Sequence, residues 1–208
     1  MKTKSQRITV RGIVFSALFG ALMVVMSFLQ IQLGFSPVPI TMETMAIMLT
    51  GAFLGASYGF FSMFTVVVLV ALGLPLLNGQ GGLAKILGPT GGFIWMFPLS
   101  ALLIGYFVNR VKGDGIKAYI QIFIIIGLFG SLLLYVTGVP WLAYKMKVSF
   151  AKAMALGCYP YLLGDFAKVV IATIIVVPIR KMYPSWQLTG TGGAKVAILE
   201  DSSTRKLS

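Results

Sequence analysis

TMAIMLTGAFLGASYGFFSMFTVVVLVALGLPLL, residues 44–77, carries no charged side chain across 34 positions. As one straight helix it would run about 51 Å at 1.5 Å per residue, too long for a bilayer core about 30 Å thick. It must therefore divide into two spans, and the break is expected within Gly55-Ala-Ser-Tyr-Gly59. The spacing Gly51, Gly55, Gly59 leaves a stripe of small residues on which a neighbouring helix can pack closely.

Outward from that stretch the chain has the same character. Of its 208 residues, 58% are hydrophobic and 11% charged, against roughly 25% charged in soluble domains, which places it among membrane proteins. Before residue 44, a first span is expected over about Gly12 to Leu33, with small residues Gly12, Ser16 and Gly20 at a four-residue period and Ala17 and Ala21 beside them. Its partner could be an internal helix or another subunit. Gly34-Phe-Ser-Pro-Val-Pro39 breaks the helix because Pro37 and Pro39 lack N–H groups. After residue 77, a fourth span is expected over about Phe93 to Asn109 and a fifth over about Ala118 to Thr137, closed by Gly138-Val-Pro-Trp141. Ser149 can cap a short surface helix, and a sixth span begins after Pro160 and ends near Pro178. The expectation is an all-α, polytopic membrane protein: one domain of six transmembrane helices over residues 1–182, then a polar, poorly ordered cytoplasmic tail over residues 183–208.

Charge fixes the orientation. The net charge of +12 could suggest nucleic acid, but with six spans 12 of the 17 Lys/Arg fall on the side of the termini, against Lys85, Lys145, Lys147 and Lys152 opposite. Positive-inside topology accounts for this, puts both termini in the cytoplasm and leaves no role for nucleic acid. One cysteine and no histidine exclude disulfide frameworks, histidine zinc sites and Ser/His/Asp or Cys/His triads. No Walker A stretch is present, and the first apolar run shows no cleavage pattern of a signal peptide.

Two features can carry binding chemistry. Asn78-Gly-Gln-Gly-Gly-Leu-Ala-Lys-Ile-Leu-Gly-Pro-Thr-Gly-Gly92 joins the third and fourth spans on the outer side. It is either a slack connector or a site in which backbone groups converge. Its G-x-G-x-x-A match, Gly79 to Ala84, lacks the strand and helix of a dinucleotide fold and carries no weight. Asp165 and Lys168 lie at i, i+3 in an otherwise apolar span. Each charge costs about 2.5 to 3.5 kcal/mol at a helix centre on insertion scales, so they form either a self-satisfying pair or a polar ligand site. Glu43 reads as a charge favourable to a helix N-terminus, with Thr41 as a cap, and Trp95 and Trp141 as packing or interfacial aromatics.

Pro37-Val-Pro-Ile-Thr41, Ala71-Leu-Gly-Leu-Pro75, Leu87-Gly-Pro-Thr-Gly-Gly92, Gly138-Val-Pro-Trp-Leu142 and Gly164-Asp-Phe-Ala-Lys168 together resemble the BioY proteins, biotin-binding S-components of energy-coupling factor (ECF) transporters. The resemblance covers nearly the whole chain to about Met182. It implies a multi-pass protein of the bacterial plasma membrane that captures biotin from outside, has no catalysis and no cofactor of its own, and works with a coupling subunit EcfT and ATPases EcfA and EcfA'. It also implies substrate-binding roles for Asn78, Gly79, Gly82, Lys85, Thr90, Gly91, Asp165 and Lys168, and a docking face for EcfT at Ala17 and Ala21; biotin's chemistry pairs Asp165 with the ureido N–H groups, and Asn78, Lys168 and the loop backbone with the remaining polar atoms. Glutamine is common in the family where Glu43 stands, so Glu43 inherits no role. The competing readings are an S-component for another vitamin, a stand-alone channel or proton-coupled carrier with Asp165 as relay, and an intramembrane enzyme.

Overall fold

The structure, a computed structural model, describes residues 8–111 and 115–191. Thr9 Oγ1 accepts from the Gly12 N–H at 3.0 Å and starts α1 (Val10–Ser27), satisfying one of the donors a helix start leaves open. The helix ends before the expected Leu33. A two-stranded antiparallel ribbon of β1 (Gln30–Ile31) and β2 (Ile40–Thr41) follows instead.

The uncharged stretch forms α2 (Glu43–Ala71), interrupted at Gly55, whose φ of 77° and ψ of −174° are non-helical. At that positive φ a side chain would be strained, and glycine is not. The chain doubles back there: a Cβ on Gly59 would lie 3.2 Å from the Gly51 Cα, a contact a continuous helix could not make. Gly51 and Gly105 admit close neighbours too, since a Cβ would fall 2.5 Å from the Ala101 carbonyl oxygen and 2.2 Å from the Gly55 carbonyl carbon respectively. The expected small-residue stripe is thus the inside of a helical hairpin.

The small residues of α1 divide between two faces. A Cβ on Gly12 would fall 2.3 Å from the Tyr58 ring and one on Gly20 3.3 Å from Val66, while Ser62 Oγ donates to the Ser16 carbonyl at 2.7 Å. That stripe packs internally along residues 56–71. Ala17 and Ala21 are exposed.

Beyond α2, a loop containing α3 (Leu83–Ile86) leads to α4 (Gly91–Ile94) and α5 (Phe97–Val108). Next, α6 (Ile116–Gly127), a π-helical turn (Leu128–Leu132) and α7 (Leu133–Met146) run on as one rod. The expected stop at Gly138-Val-Pro-Trp141 is therefore corrected. Gly138 gives space to the Phe93 ring, 2.3 Å from where its Cβ would stand, and Pro140 lies inside α7. Ser149 Oγ accepts from the Lys152 N–H at 3.4 Å and caps α8 (Phe150–Gly157), as its sequence predicts. The last long helix, α9 (Tyr159–Met182), passes through Pro178, and α10 (Ser185–Thr189) follows. Residues 183–191, expected to lie in a poorly ordered tail, thus include a helix, with Thr189 buried and its carbonyl accepting from Thr9 Oγ1; residues 192–208 lie outside the described residues.

Among the described residues, five helical stretches are long and apolar enough to cross a membrane: Val10–Ser27, Glu43–Ala71, Gly91–Val108, Ile116–Met146 and Tyr159–Met182. The count is five rather than the expected six because α2 is taken as a unit. Its arms, residues 43–54 and 56–71, are about 18 and 24 Å long. The chain is an all-α polytopic membrane protein. One apolar cluster joins α1, α2, α4 and α5 through Met23, Ile47, Met63, Ile94 and Phe97, and another joins α2, α5, α6 and α9 through Met48, Ile104, Ile126 and Val176. Lipid is as apolar as these side chains, so close packing rather than water exclusion holds them together. Leu18, Phe61, Ile120, Leu163 and Ile174 face outward.

Candidate functional site

A cavity lies where the start of α2, the loop after it, α4, the start of α7 and the first half of α9 converge. Its apolar walls are Val38, Pro39, Phe93, Ile94, Phe97 and Leu134. Phe93 meets Tyr135 edge to face, with centroids 6.2 Å apart.

The polar end is built around Asp165 and Lys168, which are 5% and 7% exposed. Lys168 Nζ donates to Asp165 Oδ1 at 2.9 Å, the Thr41 carbonyl at 2.6 Å and Thr44 Oγ1 at 3.0 Å, which uses all three ammonium protons. Asp165 Oδ1 also accepts from Thr44 Oγ1 at 3.4 Å, and Oδ2 accepts from Ser131 at 3.1 Å and the Tyr135 hydroxyl at 2.5 Å. The pair is self-satisfied and also borders the cavity, so the two readings open in the sequence coexist. The π-helical turn contains Ser131 and ends just before the turn that carries Tyr135. Such turns shift the register of all that follows, and the Phe129 carbonyl within it accepts from Ser100 Oγ at 2.5 Å.

Asn78, at a φ of 56°, lines the same cavity. Its backbone N–H donates to Ser27 Oγ at 3.1 Å and its Nδ2 reaches Glu43 Oε1 at 3.5 Å. Its Oδ1 is buried and has no hydrogen-bond partner among the described residues. A buried carbonyl oxygen left without a donor costs about 1 to 3 kcal/mol, which makes it the cavity's open acceptor. Lys85 lines both the cavity and an outer groove formed with Pro37, Gln80, Gly88 and Pro89. It donates to Gln80 Oε1 at 3.0 Å. Burial holds its ammonium below the ordinary lysine range, and Glu43 works against that shift.

Of the residues expected from sequence, Asn78, Lys85, Thr90, Asp165 and Lys168 line the cavity. Gly79, Gly82 and Gly91 are not among its lining residues. Gly79 and Gly82 take positive φ in the turns before α3, and Gly91 is held 2.1 Å, measured from a would-be Cβ, from the Ile86 carbonyl oxygen. Their glycines shape the loop rather than touch what the cavity holds. Trp95 and Trp141 donate to the carbonyls of Ile86 and Gly88 at 3.2 and 2.9 Å and pin that loop, in keeping with packing roles. The Tyr161 hydroxyl, which donates to the Val38 carbonyl, sits 3.0 Å from Ser36 Oγ and ties the proline-rich loop to α9. Glu43, Thr44, Ser131, Tyr135 and Tyr161 are site residues that sequence reading did not select. Ser131 and Tyr135, polar groups four apart in an apolar span, were the available signal.

Fold and cavity together define a polytopic membrane protein with a largely apolar cavity that has a polar end. The chain matches the BioY family over residues 1–185 and belongs to it. It is 36% identical to "Biotin transporter BioY" of Rhizobium etli over 181 residues, covering 84% of this chain and 95% of the other. It is 33% identical to "Biotin transporter BioY" of Lactococcus lactis over 176 residues, covering 83% and 92%. Among solved structures it resembles the S-component for biotin from an ECF-type ABC transporter, with a TM-score of 0.77 and 32% identity over 87% of this chain and 95% of that one.

Proposed function

We propose that this chain is the membrane-embedded biotin-binding subunit of an ECF transporter, a binding and transport protein rather than an enzyme. The observation that carries the reading is the cavity itself: apolar and aromatic walls ending in Asn78, Asp165 and Lys168. Biotin's ring and aliphatic tail suit those walls, and its ureido group suits a cluster of fixed donors and acceptors. Asp165 already accepts four hydrogen bonds, so the Asn78 Oδ1 is the better first acceptor for a ureido N–H, with Lys168 and Tyr135 beside the remaining polar atoms. Lys85, at the outer mouth, suits the carboxylate. The cavity measures about 70 Å³, below the roughly 300 to 1,000 Å³ of small-molecule sites, so capture would require the loops over it to shift.

Six passes, with the Gly55 reversal as a short inner turn, suit the same reading, and the contact between Thr9 and Thr189 supports both ends lying on one side, the cytoplasmic one by the positive-inside rule. Exposed Ala17 and Ala21 leave a shallow face on α1 for a coupling subunit of the EcfT kind, itself carrying EcfA-type ATPases, in a plasma membrane. Saturation of Asp165 by its own partners weighs against a proton relay.

A thermal-shift panel of biotin, thiamine, riboflavin and folate on the purified chain tests the ligand: stabilisation by biotin alone is expected, and stabilisation by another vitamin alone would refute the assignment. Ala17→Leu with Ala21→Leu should abolish ATP-dependent uptake by the assembled transporter while sparing biotin binding. Uptake that survives would remove the docking face.

A further inference from the structure

The outer groove at Lys85 has a volume of about 440 Å³. Pro37 comes to it from the proline-rich loop, and Gln80, Ala84 and Pro89 from the loop that carries α3, while Lys85 and Thr90 line the groove and the cavity alike. The two spaces therefore adjoin at these residues. The groove falls within the roughly 300 to 1,000 Å³ of small-molecule sites, and the cavity of about 70 Å³ does not. Lys85 is the one charged residue among the groove's described lining residues. Its ammonium carries three protons and gives one to Gln80 Oε1 at 3.0 Å. Gln80, held that way and exposed, turns its amide N–H groups away from Lys85 as donors. Trp141 donates to the Gly88 carbonyl at 2.9 Å and holds that wall against α7.

We infer that the groove is a second subsite, for a chain amide-linked to biotin's carboxyl group, so that the protein captures biotinyl-lysine as well as free biotin. The inference rests on the reading of the cavity as a biotin site with the carboxyl end at Lys85. A free carboxylate there ends at the mouth and leaves the groove unfilled, and a substituent on it enters the groove. An amide keeps much of what the mouth recognises, because its carbonyl still accepts from the ammonium. It gives up only the charge of an ion pair, a weak contribution where solvent reaches the pair. Pro37, Ala84 and Pro89 offer apolar surface to the methylenes of a lysine side chain, and the Gln80 amide offers a donor to its carboxylate.

Titration calorimetry on the purified full chain, with biotin, its primary amide and biotinyl-lysine as ligands, tests this. Biotinyl-lysine should compete with biotin, bind within about tenfold of it, and bind more tightly than the primary amide, which lacks the extension. Ala84 is exposed and does not line the cavity, so Ala84→Trp fills the groove alone. It should weaken biotinyl-lysine by about tenfold or more while biotin stays within about twofold, and Ala84→Ser should leave both unchanged. Biotinyl-lysine that binds no more tightly than the primary amide overturns the inference, as does an equal loss of both ligands in Ala84→Trp. Binding of biotinyl-lysine that adds to that of biotin instead of competing with it overturns it too. Rejection of biotinyl-lysine by a chain that binds biotin would mean that the loops close over the groove, which removes the subsite and leaves the biotin assignment standing. If biotin itself does not bind, the assignment of the cavity fails and the subsite with it.

Discussion

Lys168 and Arg180 lie twelve residues apart on α9 and both turn a charge into the bundle, but they finish on different partners. Lys168 shares a carboxylate with a cavity wall: Asp165, itself tied to Ser131, Tyr135 and Thr44. Arg180 ends on two neutral oxygens, the Ala52 carbonyl just before the Gly55 reversal and Asn109 Oδ1, which Ser185 Oγ also reaches at 2.9 Å. A cation that neutralises a carboxylate beside a cavity sets the field a ligand meets. One that closes carbonyls at a turn holds helices in place. Intramembrane charge is thus not by itself a mark of function; its partner decides.

Lys168→Ala attacks the first arrangement and should have the largest effect. Removing one member of a buried pair leaves the other uncompensated, at about 3 to 5 kcal/mol, so biotin affinity by calorimetry should fall by more than about 100-fold, with a lower unfolding temperature. Asp165→Asn, which keeps the shape, should lose less. Affinity unchanged in both variants would remove the pair from the site. Arg180→Met attacks the second arrangement. It takes the side-chain donor from the Ala52 carbonyl, at about 1 to 3 kcal/mol, while Asn109 Oδ1 keeps Ser185, so the unfolding temperature in detergent should drop while biotin affinity stays within about twofold of the parent value. A binding loss as large as that of Lys168→Ala would erase the distinction.

Asn78→Leu sharpens the contrast from the loop side. The Asn78 Oδ1 has no partner among the described residues, but the residue holds a φ of 56° and its Nδ2 reaches Glu43, so leucine there should lower thermal stability by about 1 to 2 kcal/mol, while biotin affinity weakens about tenfold, the worth of one hydrogen bond to a buried group. Loss of stability with affinity retained would make Asn78 a structural residue.

The parts of this molecule that were legible in the sequence are those fixed by length and charge. Thirty-four uncharged residues cannot cross a bilayer once, and the reversal at Gly55 follows. Asp165 and Lys168 stand out because charge is costly in a span. Gly138 and Pro140 misled because glycine followed by proline usually ends a helix, whereas here glycine admits Phe93 and the rod continues to Met146. Glu43 was missed because an acid at a helix start reads as a favourable dipole contact, and only the fold brings Asn78 to it. The π-helical turn at Leu128–Leu132, which has no sequence signature, changes the helical register between Ser131 and Tyr135.

Lys85 offers the smallest effect and a sign that can be worked out. Burial lowers its pKa from the ordinary 10.5, so its charge is lost at a lower pH than that of a free lysine. If Lys85 meets the biotin carboxylate, affinity should fall by a few-fold as pH rises through that depressed pKa, because an exposed-to-half-buried ion pair is worth only about 1 kcal/mol. Stability of the chain alone should move the opposite way. Across that interval the unfolded chain binds the proton more tightly than the folded one, so folding is favoured as pH rises towards 10.5. Lys85→Arg, which stays charged throughout, should flatten both trends, and Lys85→Met should flatten both while lowering affinity at neutral pH. Affinity in the parent chain that is constant across the alkaline range, with stability still rising, would mean that the ammonium is buried by the loop and does not touch the ligand.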